Sequence, residues 1–132
     1  MIGLDTNVVL RLLTGDDGPQ VEAVGKLLAA SQDAPRSFYI NHVVLVECAW
    51  TLRTGYGYRR PEIAAGLKSL TALKAIAIED AELVVTALED YEQGRADFSD
   101  YLVAAKNRRA GCAYTVSFDR VALRIAGMEP LG

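Results

Sequence analysis

The chain alternates between short apolar runs and longer stretches in which apolar residues recur at helical spacing. The run MIGLD at residues 1–5 is typical of a strand buried on both faces. After Pro19, the positions of Val21, Val24 and Leu28 place three apolar side chains on one face of a helix. The strands predicted in this way are residues 1–5, 37–40, 74–78 and 113–117, with a short edge strand at 128–131. The predicted helices are residues 7–13 with Thr6 as cap, a second that starts near 17–19 and ends near 31, 42–52 with Asn41 as cap, 61–73, 80–91 and 97–109, with a last helical turn at 120–126.

Strands that alternate with helices predict a parallel sheet covered on both faces. The expected fold is therefore α/β, a three-layer sandwich in which helices flank one central, mostly parallel sheet of four to five strands. The chain has 132 residues, without an internal repeat, a low-complexity segment or a linker. This length suffices for one hydrophobic core, so the sequence predicts a single domain over residues 1–132.

Composition narrows the class of function. The apolar fraction is 51% and the charged fraction 23%, as in ordinary globular proteins, and the net charge is −3. This charge argues against a non-specific nucleic-acid coat, which needs a broad basic surface, but not against an enzyme that binds its substrate through metal ions and a local basic rim. No run approaches the roughly 18 apolar residues of a membrane span, and no secretory signal is recognisable, so we expect a cytoplasmic protein. Cys48 and Cys112 lack metal-ligand spacing and are expected to be reduced, mostly buried thiols.

Two aspartates follow predicted strands directly. Ligands of parallel α/β sheets bind beyond the carboxyl ends of the strands, and Asp5 and Asp119 both occupy such positions. Thr6 and Asn7 beside Asp5, and Ser117 two residues before Asp119, are candidates for supporting roles. The alternative for Asp119 is an N-cap of the turn that follows it.

Glu47 interrupts a helix that is otherwise apolar nearly all round, V-V-L-V-E-C-A-W-T-L at residues 43–52. This composition predicts a helix buried in the core. An isolated carboxylate in such a setting is costly unless it is paired or bound to a metal. The alternative is an ion pair with an arginine from another element, such as Arg11.

Asp97 and Asp100 begin a predicted helix three residues apart, which is the spacing of an N-cap and an acid in the first turn. Alone, this pair would be structural more often than functional. Asp100 also aligns with Ala104 and Asn107, small residues that let a ligand approach. We therefore assign the catalytic role to Asp100, and to Asp97 that of a cap that also serves as an outer metal ligand.

Four motifs together resemble the PIN domain, and in particular VapC-type toxin ribonucleases. They are L-D-T-N-V-V-L-R-L-L at 4–13, V-L-V-E-C-A-W-T-L at 44–52, A-D-F-S-D-Y-L-V-A-A at 96–105 and T-V-S-F-D at 115–119. The resemblance implies that Asp5, Glu47, Asp100 and Asp119 hold Mg²⁺ or Mn²⁺ and that the chain hydrolyses RNA phosphodiester bonds. It further implies a homodimer that is inhibited by a cognate antitoxin.

The residue chemistry is compatible with this expectation. Ligand sets made only of oxygen suit Mg²⁺ and Mn²⁺, and two ions about 3.5–4 Å apart can serve an in-line displacement at phosphorus. The only histidine, His42, opens a helix and is interpreted as structural. Cys48 lies in an apolar helix without an activating base, which argues against a thiolate nucleophile.

The sequence says less about substrate contacts. Arg59, Arg60 and Arg109 are candidates for an RNA-binding rim, although cations at helix ends are common without any such role.

Two alternative functions remain open at this stage. One is an α/β phosphotransfer or phosphatase domain with Asp5 as nucleophile, although Asn7 stands where that chemistry usually has a second aspartate. The other is a non-catalytic PIN scaffold that binds a partner.

Overall fold

The computed structural model describes residues 1–31 and 34–132, and these form two compact units, Met1–Ala81 and Glu82–Gly132. The strands are β1 (Ile2–Gly3), β2 (Phe38–Ile40), β3 (Ile76–Ile78), β4 (Thr115–Ser117) and β5 (Met128–Pro130). The helices are α1 (Thr6–Thr14), α2 (Gly18–Ala29), α3 (His42–Thr54), α4 (Arg60–Thr71), α5 (Ala81–Gln93) and α6 (Phe98–Arg109), and Ala122–Arg124 forms a short 3₁₀ turn.

The first unit is built on a three-stranded parallel sheet in the order β1-β2-β3. Phe38 and Ile40 of the central strand have no exposed surface, because β2 has a strand on either side and helices pack nearby. Helix α1 packs against α2 and α3, and α4 packs against α3 and β3. The core of this unit is therefore aliphatic, with Leu45, Ile63 and Leu67 fully buried.

The second unit joins α5 and α6 to a parallel pair of strands, β4 and β5. Its core contains Leu88, Leu102 and an edge-to-face pair of rings, Tyr91 and Phe98, whose centroids are 6.0 Å apart. Asn107 ties α6 to β4, because its side-chain amide donates a hydrogen bond of 3.0 Å to the Thr115 hydroxyl. The start of β4 is thereby fixed to the helix that carries Asp100.

The predicted α/β class is confirmed, with parallel strands and intervening helices close to the predicted bounds. The grouping of the strands differs from the prediction. Within the described residues they form one sheet of three and one of two, instead of a single sheet of four to five. Strand β1 was expected to be buried, but both of its residues are exposed, Ile2 at 50%, whereas β3 at the other edge of the sheet is buried. That residues 1–132 act as a single domain stays a prediction.

None of the helices in the described ranges has both the length and the apolar character that a membrane crossing requires.

Candidate active site

Asp5 caps helix α1. Its backbone is extended, at φ −88° and ψ 177°, and its Oδ1 accepts a hydrogen bond of 3.1 Å from the backbone N–H of Val8. The prediction that Thr6 is the cap was wrong, because the helical conformation already begins at Thr6. The carboxylate of Asp5 satisfies an N–H that has no partner inside the helix. The hydroxyl of Thr6 is therefore available for another contact.

That contact is with Glu47. Thr6 Oγ1 donates a hydrogen bond of 2.6 Å to Glu47 Oε1, which joins the start of α1 to the middle of α3. A hydroxyl donor to a carboxylate at this distance forms a short, charge-assisted bond. Thr6 is thus a supporting residue for Glu47, whereas Asn7 is exposed and its side chain makes no hydrogen bond within the described residues.

The pKa of the buried Cys48 thiol depends on the charges near it. Its pKa is raised to about 12, first by burial and then by the negative charges of Glu47 and Asp5. Both carboxylates therefore act on one buried atom, which places Asp5 and Glu47 in the same part of the first unit. This pKa also argues against a thiolate nucleophile at Cys48.

Glu47 itself is not buried, contrary to the prediction. Helix α3 has an exposed face on which Glu47 lies with Val43 and Trp50, which are 67% and 58% exposed. The helix is apolar on both faces, but only one of them is covered by the core. Its charge is therefore solvated, and the desolvation argument for a metal at this position does not hold.

The alternative partner for Glu47, Arg11, is engaged elsewhere. Its guanidinium donates to Gln20 Oε1 at 2.8 Å and to the Tyr56 hydroxyl at 3.0 Å, and it lies 3.9 Å from Asp16. Among residues 1–31 and 34–132, no basic side chain forms an ion pair with Glu47. The carboxylate is thus oriented by a hydroxyl and is not neutralised.

In the second unit, Asp97 caps helix α6 as expected, and its backbone N–H donates a hydrogen bond of 3.2 Å to Asp100 Oδ2. Asp100 is half-buried. Its pKa is raised, first by burial and then by the charges of Asp97 and Asp119, while the hydrogen bond from Asp97 lowers it. Asp100 and Asp119 are therefore close enough to interact.

The side chain and the backbone N–H of Asp119 make three hydrogen bonds. Its Oδ1 accepts from the backbone N–H groups of Val121 at 2.8 Å and Ala122 at 3.2 Å. Its own N–H donates to Ser117 Oγ at 3.0 Å, which gives Ser117 a supporting role. The alternative predicted for Asp119, that it caps the following turn, is thus correct, because Oδ1 makes the capping hydrogen bonds. It leaves the other carboxylate oxygen available.

The same arrangement recurs at all four predicted ligands. In each, one carboxylate oxygen accepts hydrogen bonds, while the second oxygen has no hydrogen-bond partner among the described residues. The engaged oxygens are Asp5 Oδ1, Glu47 Oε1, Asp100 Oδ2 and Asp119 Oδ1. A carboxylate held by one oxygen and free at the other suits a hard divalent cation, which needs oriented oxygen ligands. The chemistry of each of these carboxylates therefore suits Mg²⁺ or Mn²⁺.

The structure brings the predicted residues together in two separate sets. Asp5, Thr6 and Glu47 are neighbours in the first unit, and Asp97, Asp100, Ser117 and Asp119 are neighbours in the second. Within residues 1–31 and 34–132, no three acidic, histidine or cysteine side chains are arranged to hold a metal ion. The joint quartet thus stays a prediction.

The candidate RNA-binding arginines lie at two helix ends. Arg59 is the N-cap of α4 and Arg60 its first residue, so their charges lie at the helix end where cations are unfavourable. Glu62 compensates in part, since its Oε1 lies 3.6 Å from Arg59 Nε. Arg109 is in the last turn of α6, where a cation is favoured without any function. The ordinary structural explanation therefore fits Arg109 better than Arg59 and Arg60.

His42 and Cys112 complete the predicted positions. His42 is buried, its backbone N–H donates to Glu79 Oε1 at 2.9 Å, and its Nε2 lies 2.7 Å from the Glu79 carbonyl oxygen. These contacts fit the structural role predicted for it. Cys112 is exposed and not buried, because it lies in the loop between α6 and β4. The sequence interpretation overlooked Glu79, although its position directly after β3 could have drawn attention to it.

The PIN domain family matches residues 2–128, so the chain belongs to the PIN domain family. A search of curated proteins and a search of solved structures found no match. PIN domains are generally nucleases that act on nucleic acid with the help of divalent metal ions. The α/β fold and the carboxylates described above agree with this class.

Proposed function

We propose that the chain is an endoribonuclease that hydrolyses RNA phosphodiester bonds and depends on Mg²⁺ or Mn²⁺. The observation that carries the proposal is the shared state of four carboxylates, each oriented through one oxygen and free at the other. Membership of the PIN domain family supports it. Asp5, Glu47, Asp100 and Asp119 are the proposed ligands, with Asp97 as an outer ligand.

A bound divalent ion supplies an activated water and stabilises negative charge on the departing oxygen. The contribution of the chain is to orient its ligands before the ion arrives. Thr6 directs Glu47, the Asp97 N–H directs Asp100, and Ser117 with the N–H groups of the 3₁₀ turn directs Asp119. Such outer partners typically change metal affinity or activity 10- to 100-fold when they are removed.

We further propose that the protein is the toxin of a VapBC-type toxin–antitoxin pair in the cytoplasm. In this proposal it acts as a homodimer and is inhibited by a cognate antitoxin that covers the acidic residues. The support is the resemblance of the four motifs, in particular L-D-T-N-V-V-L-R-L-L at residues 4–13. A neighbouring gene for a small DNA-binding protein would strengthen it, and co-purification of its product with the chain would test it.

The deciding experiment is end-mapped cleavage of total cellular RNA by purified protein with Mg²⁺, Mn²⁺ or EDTA. Wild type is expected to produce discrete ends only with a divalent ion, and Asp100→Asn none. Asp90→Asn, the same change at an exposed aspartate of α5, is the matched control and should cut like wild type. Unchanged cleavage in EDTA would refute the metal dependence. Absence of cleavage with both ions would favour a non-catalytic scaffold.

A further inference from the structure

The most exposed large apolar side chain in the described part of the chain lies beside a proposed metal ligand. Phe118 is 85% exposed and stands between Ser117 and Asp119, directly after β4. When a partner covers an aromatic ring that was exposed to water, the free energy falls. Its location makes a ligand of the acidic site the natural partner.

The backbone around this ring is fixed on both sides. Before it, Thr115 is bonded to Asn107 of α6, and after it Asp119 is bonded to Val121 and Ala122. The two chain neighbours of Phe118 are also joined to each other, since the Asp119 N–H donates a hydrogen bond of 3.0 Å to Ser117 Oγ. Phe118 therefore projects from an ordered bend, and little backbone entropy is lost when a ligand stacks on it.

The neighbouring charges favour a nucleic acid over a protein as the partner. Phe118 is followed by Asp119 and Arg120, both exposed, and within the described residues Arg120 forms no hydrogen bond or ion pair. The centre of a protein interface is depleted of charged residues, whereas sites for single-stranded nucleic acid combine aromatic rings with cations. Phe118 and Arg120 are the two chain neighbours of Asp119, and their Cα atoms each lie about 3.8 Å from that of Asp119.

We propose that Phe118 stacks on an unpaired base next to the bond that is cut, and that Arg120 pairs with an adjacent phosphate. This inference rests on the proposed function and adds to it two residues that contact the RNA outside the metal site. Unpaired bases expose the π-faces that aromatic side chains recognise, while bases inside a duplex do not. Phe118 thereby becomes a residue that selects the substrate, separate from the residues that bind the metal.

The test is the affinity of a short, fluorescently labelled single-stranded RNA of mixed sequence for the full chain, measured by anisotropy in an Asp100→Asn background. Phe118→Ala is expected to raise Kd about tenfold, in the range observed for the loss of one stacked base. Phe118→Trp should restore the affinity, and Phe118→Leu should not, because a leucine is apolar but offers no ring face. Tyr114→Ala removes an aromatic ring that is 59% exposed directly before β4 and should change Kd less than twofold.

A Kd unchanged in Phe118→Ala, or fully restored by leucine, would overturn the proposal. A change in the mass of the particle in solution with an unchanged Kd for RNA would assign the ring to a protein interface instead. The proposed function fails separately. If wild type cuts RNA while Phe118→Ala leaves Kd and KM unaltered, only this inference is wrong. If Phe118 is needed for RNA binding but no metal-dependent cleavage occurs, only the enzymatic proposal is wrong.

Discussion

Asp5 has two roles that a pair of substitutions can separate, because its carboxylate caps α1 and is also a proposed metal ligand. Asparagine keeps an oxygen that can accept the Val8 N–H and removes the charge, whereas alanine removes both. As an N-cap, asparagine is about equal to aspartate, and replacement of either by alanine costs about 0.5–2 kcal/mol. The negative charge at the helix start contributes about 0.3–1 kcal/mol, which asparagine does not supply.

We therefore expect the metal-free Asp5→Asn protein to unfold within about 1 kcal/mol of wild type and Asp5→Ala about 1 kcal/mol below Asp5→Asn. Addition of Mg²⁺ at about one hundred times its Kd should stabilise wild type by about 2.7 kcal/mol and neither variant. Both variants should lose RNA cleavage. Urea denaturation with EDTA and with Mg²⁺ measures the stability terms.

Asp17 offers the matched control, because its Oδ1 caps α2 in the same manner through the N–H of Gln20 at 3.3 Å. Asp17→Asn should keep both the Mg²⁺ stabilisation and cleavage. A loss of about 3 kcal/mol or more in metal-free Asp5→Asn would show a structural residue and refute the separation of the two roles. Retention of the Mg²⁺ effect in that variant would remove Asp5 from the metal site.

Three further outcomes follow from the contacts. Thr6→Val should lower activity or Mg²⁺ affinity about 10- to 100-fold with little effect on metal-free stability, because it removes the hydroxyl that orients Glu47. Thr6→Ser keeps the hydroxyl and should retain activity and Mg²⁺ affinity. An equal loss in the two variants would contradict this reasoning. The raised pKa of Asp100 means that the folded state binds its proton more tightly than the unfolded state, so ionisation destabilises the fold. In EDTA, the free energy of unfolding of wild type relative to Asp100→Asn should therefore be highest below pH 3.8, the ordinary pKa of an aspartate, and should fall as the pH rises through the folded pKa. The fall should be less than about 1 kcal/mol, because the group is half-exposed. A relative stability that rises with pH would show that the pKa is shifted in the opposite direction. A thiol reagent near pH 8 should modify exposed Cys112 and spare Cys48, whose pKa is about 12, and mass spectrometry of the folded protein would reveal any labelling of Cys48.

The sequence predicted the elements well where short-range chemistry determines them. Asn41 caps α3 through the Val44 N–H, and the helix that Pro61 was expected to open begins one residue earlier, at Arg60. The sequence failed at Thr6, because Asp5 and Thr6 are adjacent and both are good N-caps. Only the backbone conformation of Asp5 decides between them.

The exposure of Glu47 was not predictable from its helix. A helix that is apolar all round does not reveal which face its neighbours cover, and here Val43 and Trp50 lie on the uncovered face. The grouping of strands is likewise a matter of long-range pairing that local periodicity does not encode. The four acidic positions could be named because strand ends and helix starts are local features, whereas their contacts required the structure.

The hydrogen bonds of the acidic residues have a consequence for related chains that have lost activity. Asp5, Asp100 and Asp119 each accept a backbone N–H, so these side chains help the fold whether or not a metal is ever bound. Glu47 has no such bond within the described residues, since its hydrogen bond comes from the side chain of Thr6. Selection for folding alone would keep a hydrogen-bond acceptor, aspartate or asparagine, at these three positions and would not constrain the glutamate. The residue at this position is therefore the one to inspect when a homologue with intact aspartates has to be sorted among enzymes or among inert binding proteins.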